Sequence, residues 1–478
     1  MKKRLLILMT SLLTLTSCSK TEKKENSSDI TDTTTSDENN ISDPENDVIT
    51  LNYLAPDSMS DSEKKLIEEF NAADNGYNIK LVSYNDMYEY TPVDGDSDYV
   101  GNPTDESIRN VRITMLQAIS SGEIDIISSN AVDPSTFDIF MSNDAFSDLY
   151  DFMENDPEIN TSTLNSSVLK ACETDGKLFS YPLMYGIKTL AGYPEYAGTK
   201  ENITIDEFIE LWEAMPEGST ICGSNTQRYV YMNVLREQFG SFIDYKKGKA
   251  SFDSPEFIKL LEFCGSFYPD NGYKPEPDHY TIDLASNVYL NSFKDFHDVF
   301  HDYNNKDHEI TFIGYPSDCG MNSFITTEYH GVAINSKASS KKQQGAWEYI
   351  KLLSGEKAQY DLCVYEDANL GNKIAQHGYP VNNTAFDKVS EEHMNGKVDM
   401  DSYTVGGVPV EPEAITSPEL ERLKNYIASI NHLYKALDRD LFEMLEEETL
   451  LYFNGAQSAE QTAKMLQNRA EIYVSELQ

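Results

Sequence analysis

The chain has 478 residues, with 80 acidic against 38 basic side chains and a formal net charge of −42. Such a surface repels phosphate backbones and anionic lipid headgroups, which excludes a nucleic-acid binder and a protein held to a membrane by its own charge. Beyond a polar N-terminal stretch roughly 430 residues remain, too many for one core and enough for two.

The chain opens with Lys2, Lys3 and Arg4, followed by the apolar run "LLILMTSLLTL". A membrane span needs about 20 apolar residues, so this run reads as a secretory signal rather than a span. Leu15-Thr16-Ser17-Cys18 resembles a bacterial lipobox. That resemblance implies a signal peptide over 1–17, cleavage before Cys18, and palmitate-type lipidation of Cys18 at the outer face of a cell membrane. The simpler alternative is an ordinary signal with an accidental cysteine. Residues 18–47 hold almost no large apolar side chains and no period, so they are expected to be a disordered tether. A coil of that length reaches roughly 30 Å.

The elements then follow in order. "DVITLNYLAP" is a strand. "SDSEKKLIEEFNAADNG" is a helix, with Ser60 and Glu63 as a capping box. "YNIKLVSYN" alternates like a strand. "NVRITMLQAISSGE" is a helix expected to turn Ile113, Leu116 and Ile119 or Ser120 inward, and "IDIISSN" is a short buried strand. This β-α-β-α-β order predicts a mostly parallel sheet with helices on both faces. Thr204 with Glu207, and Ser254 before Pro255, mark two more helix starts. Residues 419–477 read as helical throughout. The last helix opens on Ser458 and Gln461 and repeats Ala463, Leu466, Ala470, Tyr473 and Leu477.

Chemistry-bearing motifs are few. Cys172, Cys222, Cys264, Cys319 and Cys363 are widely spaced with no CxxC, so mostly free thiols are expected. Asp94, Asp96, Asp98 and Asp105 follow a calcium-loop spacing, but Tyr99 stands where the sharp turn wants Gly; an acidic, solvated loop is the preferred reading. His297 and His301, with His308 nearby, lack the Glu of HExxH and any distant partner. Trp212 and Trp347 lie on apolar helix faces and read as core. No nucleophile elbow, phosphate loop or dinucleotide motif occurs. A surface glycoside hydrolase stays as a rival reading, since two facing carboxylates are all it needs.

The segments "EKKLIEEFNAADNGYNIKLVSYND", "GEIDIISSN", "DGKLFSYPLMYGIKTLAGY", "TIDEFIELW", "FDSPEFIKLLEFC", "FIGYPSDCGMNSF", "HGVAINSKASSKKQQGAWEYIKLLSGEKAQ" and "YFNGAQSAEQTAKMLQNRAEIYVSEL" together resemble family 1 of the extracellular solute-binding proteins, the maltose-binding-protein-like lipoprotein components of sugar ABC transporters. The resemblance spans nearly everything after Val48. It implies an α/β fold of two lobes (type II, periplasmic-binding-protein-like), each a mostly parallel sheet flanked by helices, with a helical C-terminus: 48–181 plus 324–355 in one lobe, 182–323 plus 356–478 in the other. It implies a monomer that closes on a solute by hinge motion, delivers it to two permease subunits backed by a cytoplasmic ATPase, and needs no cofactor. A carbohydrate is the expected cargo; a peptide or another small polar solute is the alternative.

In open α/β sheets a ligand sits beyond the carboxyl ends of the strands. That rule selects Tyr84, Asn85 and Asp86 after the second strand, and Asn130 and Asp133 after the third. The crossing segments add Tyr185, Tyr315, Asp318 and Met321, and the loop "GSNTQRYVY" adds Asn225 and Tyr229. Sugars pair with flat rings and planar polar groups, which these side chains supply.

Overall fold

The structure is a computed structural model. It describes residues 48–476 apart from 57–58, 92–102, 271–281, 301–309, 328–330, 367–372, 376–377, 399–402, 406–407, 411–412 and 438. The signal, Cys18, the tether, Asp94, Asp96, Asp98, His301 and His308 lie outside the described residues, as does the side chain of Asp105.

Residues 48–478 form one compact unit. Strand β1 (Ile49–Leu54), helix α1 (Asp61–Ala72) and strand β2 (Tyr77–Val82) follow the expected order, and Ser60 and Glu63 close the reciprocal capping box. Helix α2 (Asp105–Ser121) is longer than its apolar pattern suggests, because Thr104 caps it a full turn earlier. Its inward face is Val111, Ala118 and Ile119; Ile113 and Leu116 are only half-buried and Ser120 is exposed. Strand β3 (Ile126–Ser128) is short and buried, and helix α3 (Pro134–Ser142) follows it.

β1 pairs in parallel with β2 and β3. Two later strands complete this first sheet: β4 (Tyr181–Pro182) and β11 (Gly331–Ile334), in the order β2-β1-β3-β11-β4. β11 runs antiparallel to both its neighbours. The second sheet is built on β5 (Met184–Gly192), whose nine residues are all buried. Antiparallel to β5 lie β8 (Ser286–Leu290), β9 (Thr311–Phe312), β10 (Phe324–Thr326) and β12 (Tyr379–Pro380), so this sheet is antiparallel where a mostly parallel one was expected: its strands arrive from separate segments rather than through β-α-β crossovers. Only Leu183 separates β4 in one sheet from β5 in the other, and β10 leads back to β11. The chain therefore crosses three times: from β4 to β5, back from β10 to β11, and again between β11 and β12.

Helix α4 (Ile205–Glu213) has the Thr204–Glu207 capping box, and α5 (Pro255–Gly265) is capped by Ser254. The short hairpin β6 (Ile243–Asp244) and β7 (Lys249–Ala250) lies between them. Helix α6 (Ser340–Ser354) buries Trp347 and packs on β1. The C-terminal run breaks into α7 (Ser417–Ser429), α8 (Arg439–Phe453) and α9 (Ala459–Glu476). In α9, Ala463, Leu466 and Ala470 are fully buried against a core of Leu190, Phe208, Phe257 and Leu260 on one face of the second sheet. The other face of that sheet shares a continuous core with the first sheet, from Leu51 and Ile126 to Ile187 and Phe386.

The five described cysteines are free thiols, three of them buried. Trp347 is in the core, stacked on Phe152; Trp212 is half-buried against Phe267. Among the described residues no helix is long and apolar enough to cross a membrane, and no group of three His, Cys, Asp or Glu side chains is placed to hold a metal. His297 instead faces Glu419 inside the protein, at 3.2 Å.

Candidate functional site

Strand alternation places Gly186, Lys188 and Leu190 on the face of β5 that looks toward the C-terminal helices. Gly186, nearest the crossings, pairs with Thr326. A side-chain carbon at Gly186 would lie 2.0 Å from Asn291 Oδ1 and 2.9 Å from Thr326 Oγ1, so glycine leaves room for both groups. Neither oxygen has a hydrogen-bond partner among the described residues, although both are enclosed. A buried orphan polar atom costs about 1–3 kcal/mol, so two side by side mark a place that something polar completes.

One row further along β5, about 7 Å on, sits Lys188. It is flanked by Phe324 and Tyr289 in register. Its ammonium lies 3.9 Å from the Tyr434 ring centre and 4.6 Å from that of Tyr289, and it pairs with Glu237. The Tyr434 hydroxyl donates to the same carboxylate at 3.1 Å. Removing one partner of such a pair costs about 3–5 kcal/mol, because the other charge is left enclosed. Tyr315, on the same side, donates to Asn287 Oδ1 at 2.7 Å. Burial first, then the charge of Glu237, pushes its phenol far above the usual range, so it stays a neutral hydrogen-bonding group. Burial likewise pushes the nearby Cys222 thiol up to about 12.

Helix α3, which follows β3 of the first sheet, packs against segments of the second core. Ser135 Oγ and Tyr245 OH are 2.8 Å apart and buried, and Ile139 packs on the core of the second sheet. Asp138 feels the charge of Lys435; burial, which Lys435 opposes, raises its carboxyl to about 6. Lys246 pairs with Asp175 beside them. Helix α3, at the carboxyl end of β3, therefore packs on the second-sheet segments that carry Tyr245 and Lys435.

The residues named from the sequence distribute unevenly. Tyr84 is half-buried and Asp86 exposed in a single turn (Asn85–Met87) after β2, and Asn130 is exposed after β3. All three stand at the cleft end of the first sheet. Asp133 is the cap of α3: Oδ1 accepts from the Thr136 N–H at 2.9 Å, and Oδ2 accepts from Thr136 Oγ1 at 2.7 Å and faces Arg112 at 3.4 Å. Asn225 is nearly buried, with Oδ1 unpartnered among the described residues. With Tyr229, which is exposed, it leads into the helical run 227–242, which carries Glu237 and passes through a π-helical turn at Tyr231–Leu235. Tyr185 points to the opposite face from Gly186, packed on Tyr379, its hydroxyl 3.4 Å from Asn165 Nδ2. Asp318 accepts from the Ile205 N–H at 3.1 Å, and Met321 packs on the second core. The register of β9 with Ala191 and Gly192 puts both at the end of β5 remote from Gly186.

Lys188, Glu237, Tyr289, Tyr434, Asn291 and Thr326 were not singled out from the sequence. One signal was available: Lys188 is the lone charge in "MYGIKTLAG". A surface hollow of about 500 Å³ lies elsewhere, over Phe152 and Trp347, where Lys351 is held by Asp156, Glu158 and Glu348.

No protein-family model matches the chain, and no curated protein matches it. Solved structures do. A periplasmic oligogalacturonide binding protein from Yersinia enterocolitica is 13% identical, with a TM-score of 0.52 over 90% of this chain and 100% of that one. A variant of a de novo designed esterase is 15% identical, with a TM-score of 0.52 over 90% of this chain and 100% of its own. Its activity was designed, and the likeness carries nothing about catalysis here. The sugar-binding protein MalE from Xanthomonas citri matches at 11% identity and a TM-score of 0.49, over 89% and 97% of the two chains. At 13% identity the likeness to the periplasmic oligogalacturonide binding protein is one of fold: this chain has a two-lobe, periplasmic-binding-protein-like α/β fold with a helical C-terminus.

Proposed function

We propose that the chain is a lipid-anchored extracellular receptor that captures a carbohydrate between two lobes and delivers it to the permease of an ABC importer. The lobes are 48–181 plus 324–355 and 182–323 plus 356–478, with the lipid on Cys18 and the tether over 18–47. The observation that carries the reading is the pair of buried oxygens unpartnered among the described residues, Asn291 Oδ1 and Thr326 Oγ1, converging over Gly186 beside the β4–β5 and β10–β11 crossings. A solute hydroxyl placed there completes both and touches the floor while α3 covers it. Contacts with both lobes favour the closed form by their differential affinity. The fold likeness to an oligogalacturonide binding protein supports the carbohydrate class at the level of fold. Asn130, Tyr84 and Asp86 on one side and Tyr229 and Tyr289 on the other are the next contacts in this reading. The role requires no catalytic step and no cofactor.

The test is a thermal-shift screen of the processed protein against mono- and oligosaccharides and short peptides. A cargo raises the melting temperature as RT ln(1 + [L]/Kd). A saccharide hit without product release is the expected result. A flat response to sugars with a peptide hit replaces the carbohydrate assignment, and released sugar products point to a hydrolase.

A further inference from the structure

We infer that the floor of the site selects cargo that is uncharged where it lies over Lys188, rejecting sugars that carry a carboxylate there. This rests on the carbohydrate-receptor reading and narrows it. Lys188 is 1% exposed and already surrounded: Glu237 pairs with it, and the rings of Tyr434 and Tyr289 stand against its ammonium at 3.9 and 4.6 Å. Glu237 is itself held, by the Tyr434 hydroxyl at 3.1 Å and by Arg236 at 4.0 Å. Arg236 lies against the Phe442 ring at 5.4 Å, toward α8, where it and Glu446 both act on the Tyr231 hydroxyl.

Two other cations among the described residues also act on nearby carboxylates. Arg112 faces Asp133 at 3.4 Å, and Lys435 faces Asp138 and Asp244. A carboxylate arriving over Lys188 has to displace Glu237, whose side chain is 12% exposed, and leave it enclosed without its counter-charge. A hydroxyl needs no counter-ion. It can pair with Asn291 and Thr326 over Gly186, while Tyr289, 39% exposed, offers an edge to the same space.

The experiment compares neutral di- to tetrasaccharides of glucose, galactose and xylose with glucuronate and galacturonate oligomers of equal length. It is done by calorimetry on the processed protein at one ionic strength. The neutral series should bind at least 10-fold more tightly. Glu237→Gln, which removes the carboxylate paired with Lys188, should tighten uronate binding at least 10-fold. Lys188→Met with Glu237→Gln removes both charges and should restore the neutral preference, which guards against a folding artefact in the single variant. Uronates binding as tightly as neutral sugars to the unaltered protein, or no uronate gain in folded Glu237→Gln, overturns the inference and leaves the carbohydrate reading standing. Binding of no saccharide at all overturns that reading, and the inference with it.

Discussion

Gly345, inside α6, would push its methyl into a neighbour if it were alanine: the added carbon would lie 2.3 Å from Tyr77 Cδ1. Glycine-to-alanine changes inside helices usually stabilise by about 0.5–1 kcal/mol. Here overpacking of about 1–3 kcal/mol should win. Gly345→Ala is therefore expected to lower the melting temperature, and a higher one would show that the Tyr77 ring moves aside freely. A second residue-scale expectation concerns acid. Burial, with the charge of nearby His297, holds His393 at about 4. Against opposing burial, hydrogen bonds from His297 and Thr416 hold Glu419 at about 2. As pH falls from 6.5 the unfolded chain takes the His393 proton first, and below about 4.5 it takes the Glu419 proton first. Both effects lower stability from pH 6.5 toward 2, His393 by at most about 3 kcal/mol. His393→Gln should flatten the urea midpoint between pH 6.5 and 4.5; an unchanged slope would assign the acid loss elsewhere. Glu419 was visible in the sequence only as a helix-start residue, and Lys188 only as an odd charge in an apolar strand. Their partners arrive from distant segments: His297 is 122 residues from Glu419, and Glu237 is 49 from Lys188.

In the receptor reading proposed above, the contact between helix α3 and the β6–β7 hairpin favours the closed form. Ser135 meets Tyr245 at 2.8 Å, and Lys435 draws on Asp138, whose charge fades below about pH 6. Tyr245→Phe combined with Asp138→Asn should weaken cargo binding by about 1–2 kcal/mol without touching the cargo, by loss of one buried hydrogen bond and a partly enclosed charge. Small-angle scattering of the ligand-free variant should show a larger radius of gyration. Unchanged affinity and radius together would mean that α3 does not set the open–closed balance. Elements with local signals were legible in the sequence: the capping boxes at Ser60, Thr204 and Ser458 and the Ser254–Pro255 start all form. The entry of β11 into the first sheet was not. Its Gly331 N–H reaches Ser129 across 202 residues, and it runs antiparallel to β3 where the β-α order suggested parallel neighbours. The C-terminal break near 430 was hidden because the flanking residues keep helical composition, whereas the start of the last helix was marked by Ser458 and Gln461.

At the scale of the whole molecule, the order of segments was legible in the first sheet because β1, β2 and β3 alternate with helices of strong periodicity, and less so in the second, whose strands all run antiparallel to β5. The site was less so. Strand ends were readable, which gave Tyr84, Asp86 and Asn130. Which face of β5 looks into the cleft was not, because all nine of its residues are buried, and Tyr185 lies on the other face from Gly186. A receptor tethered near its permease gains local concentration from staying there. Cys18→Ala should release the protein into the medium or leave it unprocessed on fractionation, and undiminished membrane retention would contradict the anchor. The central claim is that a solute completes the buried oxygens over Gly186, and Thr326→Val tests it most directly. The substitution keeps the shape and removes the orphan oxygen, so the ligand-free protein should melt at the same or a higher temperature. Titration calorimetry with the best saccharide from the screen should nonetheless show binding at least 10-fold weaker than in the unaltered protein. Equal affinity in the two proteins would place the cargo elsewhere.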